Sequence, residues 1–280
     1  MHDMQFKTYL GKSETRTDTV WPVLASGMAA TLDAAHPAGA AAVLPPLWHW
    51  TLFQDWEPAA NLGPDGHPKR GGFLPPAHDL PRRMWAGGRM SFPGELRVGA
   101  AVTRTSTITS IETKTGGSGT LLFVTVRHEI AGPDGPAVVE EHDIVYRGSE
   151  GSAVKPASPA PPPPTGAVER VVVPDAVMLF RYSALTGNSH RIHYDLAYAT
   201  RDEGYPGLVV HGPLQATLLA GLATQAAGDA KLRGFSFRAR RPAFHDRPLR
   251  LIAVPAGATM RVESRDDTDA VCMSGEATFG

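Results

Sequence analysis

The sequence predicts an α+β protein built from two similar halves, and three observations carry that prediction. A proline-rich run, Lys155-Pro-Ala-Ser-Pro-Ala-Pro-Pro-Pro-Pro-Thr-Gly166, divides the chain. A weak echo recurs across it, Arg89-Met-Ser-Phe-Pro-Gly-Glu-Leu-Arg-Val98 against Arg241-Pro-Ala-Phe-His-Asp-Arg-Pro-Leu-Arg-Leu251. Each half also pairs one apolar helical stretch with long strand-like stretches rich in β-branched residues.

In chain order, residues 19–32 predict the helix of the first half. Strands follow over 103–111, 120–130 and 137–146, separated by breaks that contain Gly or Asp, as hairpins require. The proline run favours an extended polyproline II conformation and cannot form helix or central strand, so it reads as a semi-rigid tether over 155–166. The domain limits that result are 1–154 and 167–280. In the second half, residues 213–227 predict a helix, and 250–254, 259–264 and 270–279 predict strands. A chain of 280 residues divided in this way can bury a core in each unit.

Composition excludes several classes. Hydrophobic residues make up 42% and charged residues 20%, as in soluble globular proteins. A net charge of −1 gives no electrostatic case for nucleic acid, and no apolar run reaches the length of a membrane span. The amino terminus, Met1-His-Asp-Met-Gln-Phe-Lys, lacks the apolar core of a secretory signal, so a cytoplasmic address is expected. The single cysteine, Cys272, excludes an internal disulfide and a multi-cysteine metal site.

Chemistry concentrates in two neighbouring segments. Arg181-Tyr-Ser-Ala-Leu-Thr-Gly-Asn-Ser-His-Arg-Ile-His-Tyr-Asp195 gathers two histidines, an amide, an arginine and a carboxylate after the apolar run Val177-Met-Leu-Phe180. Gly207-Leu-Val-Val-His-Gly-Pro-Leu-Gln215 then sets a glycine at the start of an Ala/Leu-rich helix, where free backbone N–H groups and the helix dipole receive developing negative charge. A proton-transfer group beside an oxyanion site points to chemistry on an acyl carbonyl.

These segments resemble the MaoC-like acyl-CoA hydratases and dehydratases. The family pattern runs roughly Phe-Ser-x-Leu-Thr-Gly-Asp-x-Asn-Pro-x-His, and Tyr182-Ser-Ala-Leu-Thr-Gly187 with His193 match it. Asn188 stands where the family has its catalytic Asp, and His190-Arg191 where it has Asn-Pro. That variant, with Gly63-Pro-Asp-Gly-His-Pro-Lys-Arg-Gly-Gly-Phe-Leu-Pro-Pro76 and Leu80-Pro-Arg-Arg-Met-Trp-Ala-Gly-Gly88, looks like the branch holding type 2 hydroxyacyl-thioester dehydratases and mesaconyl-C4-CoA or itaconyl-CoA hydratases. The resemblance implies a double hot dog: two curved antiparallel sheets, each around a central helix. It also implies an acyl-CoA substrate, no cofactor beyond that thioester, and a homodimer or higher homo-oligomer. The reaction it implies is hydration of a 2-enoyl thioester, preferably a branched dicarboxylic one. A dehydratase of fatty-acyl thioesters and a non-catalytic acyl-thioester-binding subunit are the alternatives.

Catalysis is assigned to His193, Asn188 and Gly212. Imidazole titrates near neutral pH, so His193 is the acid–base candidate. An amide cannot accept a proton, so Asn188 orients water, and Asp195 is either a substitute base or only a helix cap. Gly212 offers its N–H to a carbonyl oxygen unobstructed by a Cβ. Tyr182, His190, Arg191, Arg82, Arg83, Trp85, Arg89 and His211 are substrate-binding candidates. Among these the arginines suit a carboxylate or a CoA phosphate, while His211 also reads as a packed side chain. The spacing of His190 and His193 permits a metal reading, but Gly187-Asn188-Ser189 argues against the helix it needs, and no metal is assigned. The cluster Trp48-His-Trp50 with Phe53 and Trp56 reads as core or as acyl-pocket wall. No counterpart of the catalytic motif is seen in 1–154, so that half is expected to supply walls and scaffold.

Overall fold

The computed structural model describes residues 6–37, 39, 41–116, 119–148 and 158–280. Each half begins with a short strand, continues through helix, and ends in four strands. The first contains β1 (Ser13–Thr19), α1 (Pro22–Leu32), β2 (Arg82–Ser91), β3 (Ala101–Gly116), β4 (Gly119–Gly132) and β5 (Gly135–Arg147). The second contains β6 (Val168–Val172), α2 (Ala176–Thr186), α3 (Gly212–Ala227), β7 (Leu232–Ala239), β8 (Leu249–Ala256), β9 (Thr259–Arg265) and β10 (Val271–Phe279).

Strand order is the same in both halves: β1-β3-β4-β5-β2 in one, β6-β8-β9-β10-β7 in the other, with antiparallel pairing throughout. The two curved sheets join where β2 pairs with β7, Gly88 opposite Phe237 and Met90 opposite Phe235, so one ten-stranded sheet runs through the molecule. The echo between 89–98 and 241–251 falls on equivalent places, where β2 passes to β3 and β7 to β8. β1, β2, β6 and β7 were not anticipated as strands. β1 and β2 carry Arg, Asp and Gly where an apolar alternation would have marked them, and their tertiary neighbours decide.

The halves fill their sheets differently. Helix α3 lies in the second sheet and is buried on almost every side, from Leu214 through Ala223. Leu214, Leu219 and Ala223 are wholly buried, and each leucine removed from water contributes about 1.5–3 kcal/mol. Helix α1 packs instead on α2 and on the 3-10 turn Trp48–Thr51. It starts three residues later than expected because Thr19 still pairs with Ala101 in the sheet and Pro22 fits the first helical turn. With α1 displaced, the inner face of the first sheet carries polar groups: Glu140 and His142 of β5, and His128 of β4. Glu140 accepts from Trp50 Nε1 at 3.1 Å and lies 3.1 Å from His49 Nε2.

Of the aromatic cluster, Trp48 and Phe53 are core, Trp50 is half-buried, and Trp56 is exposed. The described part of the proline segment docks on the second half. Arg265 donates to the Pro161 carbonyl at 2.7 Å and Ala160 N–H to Asp269 at 2.8 Å. Residues 155–157 of the expected tether lie outside the described residues. Among the described residues, no helix is long and apolar enough to cross a membrane.

Candidate active site

The first chemical segment is shaped by a helix end. Asp175 caps the start of α2, accepting from Met178 N–H at 2.7 Å, and Gly187 closes it with φ 61°, the left-handed conformation that favours glycine. Asn188 N–H donates back to the Ser183 carbonyl at 2.9 Å. Asn188 Oδ1 then accepts from His190 N–H at 3.0 Å, a local turn that leads into the 3-10 turn Arg191–His193. Its amide nitrogen stays free for water, as no hydrogen bond occupies it among the described residues.

His193 is buried and held by the second segment. Its Nδ1 donates to the Val209 carbonyl at 2.7 Å, while Val209 N–H donates to the Ile192 carbonyl at 3.0 Å. This pairing fixes the tautomer and leaves Nε2 as the free acceptor. Burial pushes the imidazole down to about 4, so it is neutral at pH 7. The ring stacks on His211, centroids 3.7 Å apart and planes within 20°. His211 is fully buried, immediately precedes α3, and places Nε2 2.8 Å from Ser183 Oγ. It therefore packs behind His193 rather than facing substrate. Gly212 opens α3, with Pro213 after it. Its backbone N–H has no helical acceptor, as for any first-turn donor, and a Cβ built on it would meet only Met273 Cε, at 3.9 Å.

Four arginines were anion candidates, and three are engaged elsewhere. Arg191 binds Asp195 through two N–H groups at 3.1 and 2.7 Å and lies over the Tyr198 ring. Arg82 faces Glu203 at 3.4 Å. Arg89 lies on the other face of β2 in an exposed cluster with Glu141 and Asp143. Each of these three already faces a carboxylate, although Arg82 Nη1 is buried without a hydrogen-bond partner. Asp195 is removed as a substitute base on the same ground: Arg191 holds Oδ2, and Oδ1 caps Tyr198 N–H at 3.0 Å. The helix-cap reading describes it.

Arg83 remains. It sits opposite Tyr146 in the β2–β5 ladder, has no carboxylate partner among the described residues, and bears electrostatically on His67, His142 and His190. Trp85, two residues on, lies against His142 with ring centroids 3.8 Å apart and planes tilted by 33°, and it meets Trp50 and Phe237 edge-on, forming an aromatic wall. Tyr182 is buried beneath the site with its hydroxyl 3.5 Å from Thr217 Oγ1, and burial pushes its phenol up. That makes it a packing residue more than a ligand contact.

One constellation was not singled out from the sequence. The tight loop Gly63-Pro-Asp-Gly-His67 reaches across from the first half and is tied to 189–191. Arg191 N–H donates to the Asp65 carbonyl at 2.9 Å, Arg191 Nη1 to the Pro64 carbonyl at 2.9 Å, and Ser189 Oγ to the Gly66 carbonyl. Gly66 has φ 89°, and a Cβ there would lie 2.0 Å from the Ser189 carbonyl oxygen, so only glycine allows this approach. The loop presents His67, whose ring lies 4.2 Å from that of His190, which in turn meets His193 edge-on at 5.5 Å. Asp65 Oδ2 lies 3.0 Å from His67 Nδ1. Burial, with Arg83 and Arg70 adding to it, holds the His67 pKa below its ordinary value, and Asp65 opposes that shift; burial also pushes His190 down. One donor atom each from Asp65, His67 and His190 lies within 4.8 Å of the others, the grouping among the described residues that could hold a cation. Asp65 and His67 already satisfy one another, so hydrogen bonding accounts for the pair without one. The Asp-x-His spacing within the glycine-rich loop was the available signal, but nothing in the sequence says which distant segment that loop meets.

A double hot dog with a pinned, neutral imidazole beside a free helix N-terminus defines an acyl-thioester hydratase or dehydratase. The family described as hydroxyacyl-thioester dehydratase type 2 matches residues 47–245, and the chain belongs to it. It is a hydro-lyase. Over 284 aligned residues, all of both chains, it is 44% identical to the mesaconyl-C(4)-CoA hydratase of Chloroflexus aurantiacus. The fold matches a solved MaoC-like dehydratase with a TM-score of 0.74 at 14% identity, covering 98% of this chain and 99% of that one. It also matches, with a TM-score of 0.62 at 11% identity, a Mycobacterium tuberculosis protein described as having a double hotdog fold. That match covers 97% of this chain and 96% of the other.

Proposed function

We propose that the protein hydrates a branched dicarboxylic 2-enoyl-CoA of the mesaconyl or itaconyl type, reversibly, to the hydroxyacyl-CoA. The observation that carries this reading is His193 beside Gly212. The pinned Nδ1 leaves Nε2 bare, and the ring stacks on His211, the residue before the first-turn N–H of Gly212 that can receive the thioester oxygen. Polarised by that N–H, the enoyl system becomes electrophilic at C3. Water hydrogen-bonded to His193 Nε2 and to the Asn188 amide attacks C3 and gives up a proton, which the site returns at C2. Arg83 is the group that would take the distal carboxylate, since it is the one of the four that meets the Tyr146 hydroxyl and, among the described residues, no carboxylate. The proposal includes no metal or redox cofactor. The homo-oligomer expectation is part of it and is checked by mass in solution.

Loss of enoyl-thioester absorbance with crotonyl-, mesaconyl-C4- and itaconyl-CoA tests the reading. Turnover of the dicarboxylic thioesters well above crotonyl-CoA is expected. Arg83→Met should raise KM for them by about 10- to 100-fold, the worth of a charged hydrogen bond of roughly 1.5–3 kcal/mol, and leave crotonyl-CoA nearly unchanged. Preference for long apolar acyl groups would move the assignment to fatty-acyl dehydration. Tight binding of thioesters without turnover would make the protein a binding subunit.

A further inference from the structure

The reading above leaves the reaction short of a base. Asn188 cannot take a proton, both Asp195 oxygens are occupied, and His193 leans on a neutral carbonyl rather than a carboxylate. Formation of an imidazolium at His193 is therefore opposed by burial with no negative charge to offset it. Across His190 stands an imidazole that does have one. His67 is held through Nδ1 by the Asp65 carboxylate at 3.0 Å, in the arrangement by which a carboxylate fixes a histidine tautomer and stabilises its protonated form. No hydrogen bond engages its Nε2 among the described residues.

The loop is built to deliver this pair. Gly63 N–H donates to the His67 carbonyl at 2.7 Å, Gly66 N–H to the Gly63 carbonyl at 3.0 Å, and His67 N–H to Asp65 Oδ1 at 3.1 Å. Three hydrogen bonds to residues 189 and 191 then fix the loop against the segment that carries His193. A loop used only as wall would not need a position where any side chain but hydrogen collides with the partner backbone at 2.0 Å.

We propose that His67, oriented by Asp65, is the general base of the hydration and stands in for the carboxylate absent at position 188. This assignment rests on the acyl-thioester reading and reverses the expectation that the first half supplies only walls. As the water oxygen bonds to C3, the water O–H bond breaks and its proton passes to His67 Nε2. The C2=C3 electron pair moves toward the thioester oxygen held by Gly212 N–H. The enolate then collapses and takes that proton from His67 at C2, so the enzyme ends the cycle in its starting state. His193 and Asn188 hold the water through its second hydrogen and its oxygen. In the dehydration direction His67 removes the C2 proton and gives it to the departing hydroxyl.

The test compares the full-length wild type with His67→Gln, Asp65→Asn and His67→Ala, on the best thioester of the panel. His67→Gln should lower kcat by about 10²-fold or more, the usual contribution of a positioned base, with KM within a few-fold. Asp65→Asn should lower kcat/KM. It should also move the acidic limb of the pH profile downward, because loss of the carboxylate removes the group that raises the His67 pKa. Added imidazole should restore part of the His67→Ala rate, which a merely structural role would not allow. Melting temperatures verify that each variant folds; should His67→Gln not fold, the Asp65→Asn profile and the imidazole rescue decide. His67→Gln retaining more than about a third of wild-type kcat, or activity abolished by a chelator and restored by zinc, overturns the base while leaving the hydratase reading standing. A wild type inert on every enoyl and hydroxyacyl thioester removes both together.

Discussion

Replacing Gly212 by alanine separates a helix-start glycine from an oxyanion site. A Cβ at this position meets nothing closer than Met273 Cε at 3.9 Å, an ordinary contact, and Gly212 is not among the glycines of positive φ. The fold therefore does not require glycine here. Gly→Ala at a compatible helical position stabilises by about 0.4–1 kcal/mol, chiefly by restricting the unfolded chain. In a chain of this size that is a rise in Tm of roughly 1–4 °C. The space the methyl enters is the space assigned to the thioester oxygen. Displacement of a reacting group by about 1 Å costs on the order of 10²-fold in rate, and loss of one oxyanion donor costs about 10²–10³-fold. Gly212→Ala is thus expected to melt no lower than wild type and to lose about 10²-fold in kcat/KM, measured by enoyl-thioester absorbance beside a thermal melt. Wild-type kcat/KM in this variant would refute the placement of the carbonyl. Loss of activity together with a lowered Tm would show instead that the glycine serves packing.

The remaining outcomes concern the motif and the pH dependence. His193→Ala removes an acceptor that holds the attacking water and should lower kcat by about 10- to 100-fold with a smaller change in stability. Asn188→Ala should cost about 10- to 100-fold, the worth of one or two hydrogen bonds. Asn188→Asp keeps the turn to His190 N–H but adds a charge beside the imidazoles, so neutral or reduced activity is expected; a several-fold gain with no pH shift would favour a partly disabled site. Burial holds His128 and His193 down to about 4 and His142 down to about 3. Below about pH 6.5 the unfolded chain takes up protons that the folded chain refuses, so stability is complete above that pH and falls as pH drops toward 4. Three such groups give at most about 4 kcal/mol per pH unit near pH 5, less where water reaches the half-buried His128 and His142. Urea midpoints at pH 7 and pH 5 measure it, and equal midpoints would mean that these imidazoles are hydrated in the folded protein.

Much of this protein was legible as sequence because the relevant physics is local. Six strands and the helix α3 follow from side-chain period and from Gly and Asp breaks, and they fall within a few residues of where the pattern puts them. Asp175, Gly187 and Pro213 fix helix ends by backbone geometry that each residue type carries with it. His193 stood out because its stretch matches the family motif, and Gly212 because it opens an Ala/Leu-rich helix in the segment that follows. Tertiary structure alone decided what that stretch faces. Arg191, Arg82 and Arg89 looked available until folding brought Asp195, Glu203, Glu141 and Asp143 to them, while Arg83 came to lie against the Tyr146 hydroxyl with no carboxylate beside it among the described residues. Asp65 and His67 are more than 120 residues from His190 in the chain, and only the collision-free backbone at Gly66 lets their loop close on it. Sequence fixes which conformations each segment can adopt. Which charges cancel and which imidazoles meet depends on distances between segments, and those are set when both halves close around the same sheet.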